Sequence, residues 1–142
     1  MSNIKTDKIK DIGKIFRKKA LMPYITAGDP DLSFTARMLK FLDKNNVDII
    51  EIGIPFSDPL ADGPVIQAAS QRSLKNGTTL SGIFLMLKKI KDEIKTPYLL
   101  MGYYNSILNY GKEKFIKDCL MTGVAGVIIP DLPFNEDPGF YQ

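Results

Sequence analysis

The amino-acid sequence predicts an α/β fold with a parallel sheet, and two observations support this prediction. Short apolar segments alternate with amphipathic helical segments along the chain of 142 residues. The apolar segments also lack the alternation of polar and apolar residues that marks a strand with one face in water. Strands that helices cover on both faces have this continuous apolar character. The order and character of the segments therefore indicate β-α-β units with right-handed crossovers.

The N-terminal segment, residues 4–19, is predicted to form an amphipathic helix. Ile9, Ile12 and Phe16 recur at helical spacing, and lysines occupy most of the other faces. We expect this helix to pack across one end of the core. Binding to a membrane surface is the alternative, but it usually requires a larger apolar face.

Four strands and three further helices are predicted after this segment. The strands cover residues 20–27, 47–54, 98–101 and 124–129, and the helices cover residues 32–45, 80–94 and 112–121. Thr79 is expected to cap the second of these helices through its side chain. Residues 55–64, with three prolines, and residues 102–110 are expected to be loops.

This rhythm fits both a βα barrel and a doubly wound sheet. A dinucleotide-binding sheet carries G-x-G-x-x-G after its first strand, and the sequence lacks that motif. Asn45–Gly53 and Thr122–Asp131 are weakly similar, because each has a helix end, an apolar strand and an acid near the strand's C-terminal end. In a barrel these ends form the active-site face, where Glu51 and Asp131 would both lie.

The composition excludes several kinds of chemistry. The chain has no histidine and one cysteine, Cys119. Ser-His and Cys-His nucleophile pairs are therefore absent, and the commonest metal ligand is missing. Acid–base chemistry must use carboxylates, lysine, tyrosine or cysteine. A lone cysteine forms no internal disulfide, which favours an intracellular compartment, and we expect Cys119 to be buried in its helix.

Charge and hydropathy favour a soluble protein that does not bind nucleic acid. The net charge is +3, and many lysines lie on helix faces that also carry acids. No aromatic residues are interleaved with them as they are in nucleic-acid interfaces. No apolar run approaches the ~20 residues of a membrane span, and the N-terminus lacks a signal sequence. We expect a cytoplasmic protein, or a stromal one if a plastid encodes it.

Glu51 is the first candidate for acid–base catalysis. It lies among isoleucines in the predicted strand 47–54, where a carboxylate is costly unless it is paired, protonated or exposed at the strand end. Burial raises the pKa of a carboxyl group, and a group of raised pKa can both give and take a proton. A structural acid that is hydrogen-bonded to a neighbouring strand is an equally good explanation.

Asp62 is the second candidate. It precedes Gly63 near the far end of the loop 55–64, and an aspartate before a glycine is common in turns. Taken alone, the turn is the better explanation. Two carboxylates near one βα loop, in a chain without histidine, favour a paired acid–base site.

Four segments resemble the tryptophan synthase alpha subunit family in order and spacing. The longest is EIGIPFSDPLADGPVIQAASQRSLKNG, Glu51–Gly77, and the others are MPYITAGDP, LLMGYYN and GVAGVIIPDLP. The resemblance implies a TIM-type (β/α)8 barrel, of which the sequence contains about the first four β/α units, since a whole barrel usually needs ~250 residues. We expect residues 1–142 to form a single domain.

This resemblance implies a function in tryptophan biosynthesis. The family's reaction is the retro-aldol cleavage of indole-3-glycerol phosphate to indole and glyceraldehyde 3-phosphate. The resemblance implies that Glu51 is the general acid and base and that Asp62 stabilises the protonated indole ring. It implies no metal and no cofactor in this chain. The pyridoxal phosphate belongs to a beta subunit, with which the alpha subunit forms an α2β2 complex.

The resemblance also implies a substrate pocket and a partner interface. The indole pocket is expected to include Tyr24, Leu100 and Tyr103. The beta subunit is expected to contact Pro55, Asp58, Pro59 and Asn105. Within that interface, Asp58 and Pro59 are expected to protrude from their loop.

The sequence departs from the family pattern in two ways. Asn105-Ser106 replaces the Asn-Pro of many members. The chain also stops before the loops after strands 7 and 8, where barrels commonly bind phosphate. The alternatives are a truncated, non-catalytic chain that retains only the beta-contacting loops, and a different phosphosugar lyase on a βα barrel. The motif around Asp62 argues against the different lyase.

Overall fold

A computed structural model describes residues 12–133 and 135–141, with the backbone alone for Tyr141. Its strands form one parallel sheet in the order β1-β2-β3-β4, which confirms the predicted α/β class. The strands are β1 (Tyr24–Thr26), β2 (Ile50–Gly53), β3 (Tyr98–Met101) and β4 (Gly126–Ile128). The helices are α1 (Ile12–Ile15), α2 (Leu32–Lys44), α3 (Pro64–Lys75), α4 (Leu80–Ile90), α5 (Tyr104–Tyr110) and α6 (Lys112–Thr122), and a 3-10 helix covers Pro138–Tyr141.

One face of the sheet packs against helices and forms the core. Residues that pair across parallel strands point to the same face, and the registers place Ile50 opposite Tyr98 and Ile52 opposite Leu100. These four residues belong to one buried hydrophobic cluster. Helices α2, α4 and α6 contribute to this cluster Leu39, Ile83, Leu87 and Phe115. The opposite face of the sheet, called the inner face below, carries the alternate residues of each strand.

Two helices occur where no helix was predicted. Helix α5 occupies most of the predicted loop 102–110, so that prediction is wrong. Helix α3 follows the loop 55–64, and its buried residues are Ala69, Ser70 and Ser73. Because these side chains are small, α3 lacks the apolar periodicity that reveals a helix in a sequence. The small side chains let α3 lie close to the end of β1. There, Ser73 Oγ donates a hydrogen bond of 2.6 Å to the carbonyl of Ala27.

The N-terminal helix packs against the inner face. Only Ile12–Ile15 of the predicted segment are described as a helix, and residues 4–11 of that prediction lie outside the described residues. A Cβ atom added to Gly126 would lie 3.7 Å from Ile12 Cδ1. Helix α1 therefore reaches the inner face at the first residue of β4, and none of its four residues is fully buried.

Two predictions about single residues in the helices are confirmed. The Thr79 side chain accepts a hydrogen bond of 3.1 Å from the Gly82 N–H and caps α4. Cys119 is buried in α6, where removal from water raises the pKa of its thiol to about 12. Within residues 12–133 and 135–141, no helix has the length and apolar character that crossing a membrane requires.

Candidate active site

Glu51 occupies the second position of β2 and lies on the inner face. Its register partners are Tyr24 on β1 and Leu99 on β3, and Leu99 pairs in turn with Gly126 on β4. The next residue of β2, Ile52, is fully buried against the helices, whereas Glu51 is only half-buried. The alternation of side chains along a strand therefore separates the carboxyl group from the isoleucines beside it in the sequence.

The pKa of Glu51 is raised above its ordinary value of 4.5. Removal of the carboxyl group from water is the main cause, and the negative charge of Asp62 adds to the effect. No hydrogen bond from the described residues contributes to this pKa. A structural acid that is hydrogen-bonded to a neighbouring strand would have such a bond.

Asp62 lies at the end of the loop that joins β2 to α3. Its backbone N–H donates to the Pro59 carbonyl at 3.0 Å, and its own carbonyl accepts a bond of 2.8 Å from Gln67 Nε2. These two bonds hold the turn that precedes α3. Burial is the largest cause of the raised pKa of Glu51, of Tyr24 and of Tyr103, and the negative charge of Asp62 adds to the shift in all three. The structure thus brings Glu51 and Asp62 into one electrostatically coupled site.

Tyr103 attaches this loop to the end of β3. Its hydroxyl oxygen accepts a hydrogen bond of 2.8 Å from the Ala61 N–H, immediately before Asp62. Its ring stacks on Phe56 with the ring centroids 5.1 Å apart. The side chain is buried, and burial is the main reason that its pKa is raised. Tyr103 therefore belongs to the site and holds the backbone beside Asp62.

Gly53 is a site residue that the sequence prediction missed. It lies two residues after Glu51 on β2 and so shares the inner face. A Cβ atom at this position would lie 1.9 Å from Tyr24 Oη and 2.5 Å from its Cζ. The Tyr24 ring therefore lies directly over Gly53, with its hydroxyl 3.5 Å from Thr26 Oγ1. A glycine inside a strand often marks the close approach of another group. The glycine at position 53 was therefore the feature of the sequence that could have identified this site residue.

Leu100 is not brought to the same face as Glu51. It pairs with Ile52, is 1% exposed and belongs to the helix-facing cluster. The β3 residues on the inner face are Leu99, opposite Glu51, and Met101, opposite Gly53. Because side chains alternate along a strand, a shift of one position moves a residue to the other face. The apolar wall beside Glu51 is therefore formed by Leu99 and Met101.

The residues expected at the partner interface differ in exposure. Asp58 is exposed and accepts a hydrogen bond of 2.5 Å from Ser57 Oγ. Asn105 is also exposed, on helix α5 rather than on a loop. Pro55 and Pro59 are buried within the chain, so the expectation that Pro59 protrudes is wrong.

Asp131 lies near the same edge of the sheet, as expected from its position after the fourth strand. Its carboxylate accepts a hydrogen bond of 2.9 Å from the Tyr104 N–H at the start of α5. Asp131 is thereby placed beside Tyr103, and its charge contributes to the raised pKa of that residue. Among the described residues, no group of three or more acidic or cysteine side chains is arranged to hold a metal ion.

A comparison with family models matches residues 13–142 to the tryptophan synthase alpha chain. The chain belongs to the tryptophan synthase alpha chain family. The alpha chain of Petrotoga mobilis is 60% identical over 131 residues, which are 92% of this chain and 51% of that relative. The alpha chain of Trichormus variabilis is 56% identical over 123 residues, 87% of this chain and 46% of the relative.

Solved structures of the family have the same fold. The alpha subunit from Legionella pneumophila superposes with a TM-score of 0.85 at 41% identity, over 99% of this chain and 53% of that chain. A chain of the Pyrococcus furiosus tryptophan synthase complex gives 0.80 at 43% identity, over 85% and 50%. The chain spans about half the length of these relatives. Its sheet is therefore a partial TIM barrel, as predicted. The alpha chain family carries no cofactor, and pyridoxal phosphate belongs to the beta subunit.

Proposed function

We propose that this chain supplies the acid–base half of an enzyme that cleaves indole-3-glycerol phosphate to indole and glyceraldehyde 3-phosphate in tryptophan biosynthesis. One observation carries the proposal. The pKa of Glu51 is raised by burial and by Asp62, on a sheet face that also carries two tyrosines. A carboxyl group of raised pKa is suited to both donating and accepting a proton near neutral pH. We also propose a cytoplasmic location for this biosynthetic step.

Glu51 performs two proton transfers in this mechanism. Cleavage of the carbon–carbon bond requires a proton on indole C3, so that the ring becomes a leaving group. It also requires loss of the proton from the adjacent side-chain hydroxyl group, whose carbon becomes the aldehyde. The protonated Glu51 gives the first proton, and the resulting carboxylate accepts the second. Leu99 and Met101 form the apolar wall that keeps this carboxyl group partly out of water.

Asp62 stabilises the charge that the first transfer creates. Protonation at C3 places positive charge on the indole nitrogen, and an ionised carboxylate beside that N–H lowers the energy of the intermediate. The negative charge of Asp62 also raises the pKa of Glu51. Tyr103 holds the adjacent backbone through Ala61, so the position of Asp62 depends on the end of β3.

The test of these roles is a chimera that joins residues 1–142 to the second half of the Petrotoga mobilis alpha chain. Glu51→Gln should lower indole release by ~10²–10⁴-fold and leave substrate binding largely intact. Glu113→Gln, which changes an exposed glutamate on α6, is the matched control and should release indole at the parent rate. Turnover near the parent rate by the Glu51→Gln variant would refute the assignment.

Asp58 is proposed to contact the beta subunit. It is exposed on the loop that ends with Asp62, so a partner docked there acts on the position of the second acid. Coupling of this kind is reciprocal for binding. In the chimera, Asp58→Ala should weaken beta association and lower beta-stimulated cleavage more than basal cleavage. Equal loss of both rates with unchanged association would contradict this interface.

A further inference from the structure

Helix α3 begins directly after the loop that carries Asp62. Gly63 precedes the helix, and Pro64 is its first residue. Within the first turn, Gln67 Nε2 donates a hydrogen bond of 2.8 Å to the Asp62 carbonyl, and the Gln67 N–H donates one of 3.0 Å to the Gly63 carbonyl. The backbone of Asp62 is thus bonded to the helix, so a movement of α3 carries Asp62 with it.

The C-terminal end of α3 is bonded to the segment between β1 and α2, residues 27–31, called the β1 loop below. Ser73 Oγ donates a hydrogen bond of 2.6 Å to the Ala27 carbonyl. Asn76 follows the last residue of α3, and its Nδ2 donates a bond of 2.7 Å to the Pro30 carbonyl. The β1 loop therefore fixes this end of the helix.

A bidentate ion pair adds a fixed orientation to these contacts. Arg72 Nε and Nη2 donate hydrogen bonds of 2.9 and 2.6 Å to the two carboxylate oxygens of Asp29 in the β1 loop. A planar guanidinium group matches a carboxylate in this geometry, so the pair restricts the direction of the helix as well as its distance. The Arg72 side chain is 57% exposed. Because an exposed ion pair contributes little to the free energy of unfolding, this pair is better suited to setting geometry than to stabilising the fold.

The length of α3 makes the position of Asp62 sensitive to this pair. Arg72 comes ten residues after Asp62, and ten residues of helix extend about 15 Å. Over that length, a change of about 4° in the tilt of the helix moves its first residue by about 1 Å. A misplacement of this size at a catalytic group can lower the rate by ~10²-fold. Contacts far from the reacting atoms can therefore influence the rate.

We propose that Arg72 and Asp29 are positioning residues, which hold Asp62 in place through helix α3. Their role is to keep its carboxylate close to that of Glu51, because two carboxylates in one site repel each other. Tyr103 fixes the loop on the side of β3, and the ion pair fixes it on the side of β1. The consequence for catalysis rests on the function proposed for Asp62, whereas the position of Asp62 can be measured without any reaction.

The first test is an NMR titration of the Glu51 carboxyl carbon in the Arg72→Gln variant of this chain. Without the ion pair, repulsion should move Asp62 away from Glu51. The pKa of Glu51 should then fall, in the same direction as in the Asp62→Asn variant. Loss of a positive charge would by itself raise the pKa of Glu51. The sign of the shift therefore separates a change in position from a direct electrostatic effect.

Arg37→Gln is the matched control for this titration. Arg37 is an exposed arginine whose Nη1 donates a hydrogen bond of 2.8 Å to Ser33 in its own helix, α2. Its replacement should leave the Glu51 titration unchanged. Arg72→Lys keeps the positive charge but loses the bidentate geometry, so it should lower the pKa of Glu51 by less than Arg72→Gln does.

The second test measures indole release by the chimera with the second half of the Petrotoga mobilis alpha chain. Arg72→Gln should lower kcat at least ~10-fold and change KM little, because Asp62 acts on charge that develops only as the indole ring is protonated. Asp29→Ala should cause a similar loss. The double variant should lose no more than either single variant, as expected of partners in one contact.

The chimera also separates this proposal from the proposed function. If Glu51→Gln leaves the rate of the chimera unchanged, the proposed function fails, and the NMR comparison alone decides the positioning role. If Glu51→Gln abolishes the rate and Arg72→Gln does not lower it, the proposed function stands and the positioning role is overturned.

Two outcomes in the chain itself would also overturn the proposal. A Glu51 pKa that is unchanged or raised in the Arg72→Gln variant would show that the ion pair does not hold Asp62 close to Glu51. A large fall in the urea midpoint of that variant, or its failure to fold, would show that the pair stabilises the fold. A positioning pair should leave the midpoint close to that of the parent chain.

Discussion

The helix-facing side and the inner face of the sheet have different compositions. On the helix side, Ile50, Ile52 and Leu100 are at most 1% exposed and pack in a single cluster. On the inner face, β2 carries Glu51 and Gly53, and their partners on β1 are Tyr24 and Thr26. Adjacent residues of β2 therefore belong to different environments, because a strand turns successive side chains to opposite faces.

This contrast shows why an acid can lie within an isoleucine-rich strand. The isoleucines of β2 pack in the core and hold the strand in place. The residues between them face the other side of the sheet and do not need to be apolar. Glu51 is partly removed from water without entering the core, which raises its pKa and still leaves it able to ionise. Gly53 provides the space in which Tyr24 lies beside it.

The largest effect is expected from the helix side. Ile52→Ala should lower the free energy of unfolding by about 2–5 kcal/mol, because it opens a cavity in the core cluster. Met101 is half-buried on the inner face of β3, so Met101→Ala should lower the free energy of unfolding clearly less than Ile52→Ala does. Urea unfolding of both variants of this chain, followed by circular dichroism, measures the difference. Equal losses would show that the two faces are packed to the same degree.

An intermediate effect is expected from Gly53. Gly53→Ala places a Cβ atom against the Tyr24 ring and should lower the free energy of unfolding by about 1–3 kcal/mol, as overpacking does. In a Tyr24→Ala background most of this cost should disappear, because the clashing ring is gone. Gly139→Ala is the control, since its Cβ would meet its nearest neighbour, Asp137 Oδ1, at 3.7 Å. An unchanged cost in the double variant would mean that the strain at Gly53 has another source.

The smallest effect is expected from the titration of Glu51. Its pKa is raised in the folded chain, first by burial and then by Asp62. From the ordinary value of 4.5 up to the raised folded value, the native state holds more protons than the unfolded state. Stability therefore falls as pH rises through this window and is then lower by a constant amount. The favourable contribution of the protonated acid is fully present below the window.

This pH dependence can be measured with two variants. Glu51→Gln should remove the fall in the free energy of unfolding across the window, and Asp62→Asn should shift the Glu51 titration to lower pH. An NMR titration of the Glu51 carboxyl carbon in both the parent chain and the Asp62→Asn variant gives the shift directly. A Glu51 pKa that does not change in the Asp62→Asn variant would show that the two carboxyl groups are not coupled.

Several features were predicted from the sequence for clear physical reasons. The parallel α/β class followed from apolar strands that alternate with amphipathic helices. Thr79 was identified as a cap because a threonine before an apolar helical repeat satisfies a free N–H group. Helix α3 was missed because its buried residues are alanine and serine, and α5 was missed because its seven residues are too few for a clear helical period.

The sequence alone determined the fold class, the family resemblance and the identities of Glu51 and Asp62 as the acids to consider. Only the tertiary structure decided which residues surround them. It assigned Leu99 and Met101, rather than Leu100, to the inner face, and it placed Tyr24 over Gly53. The reason is that residue type and spacing are local properties, whereas the face and neighbours of a strand residue depend on its register with strands distant in the chain.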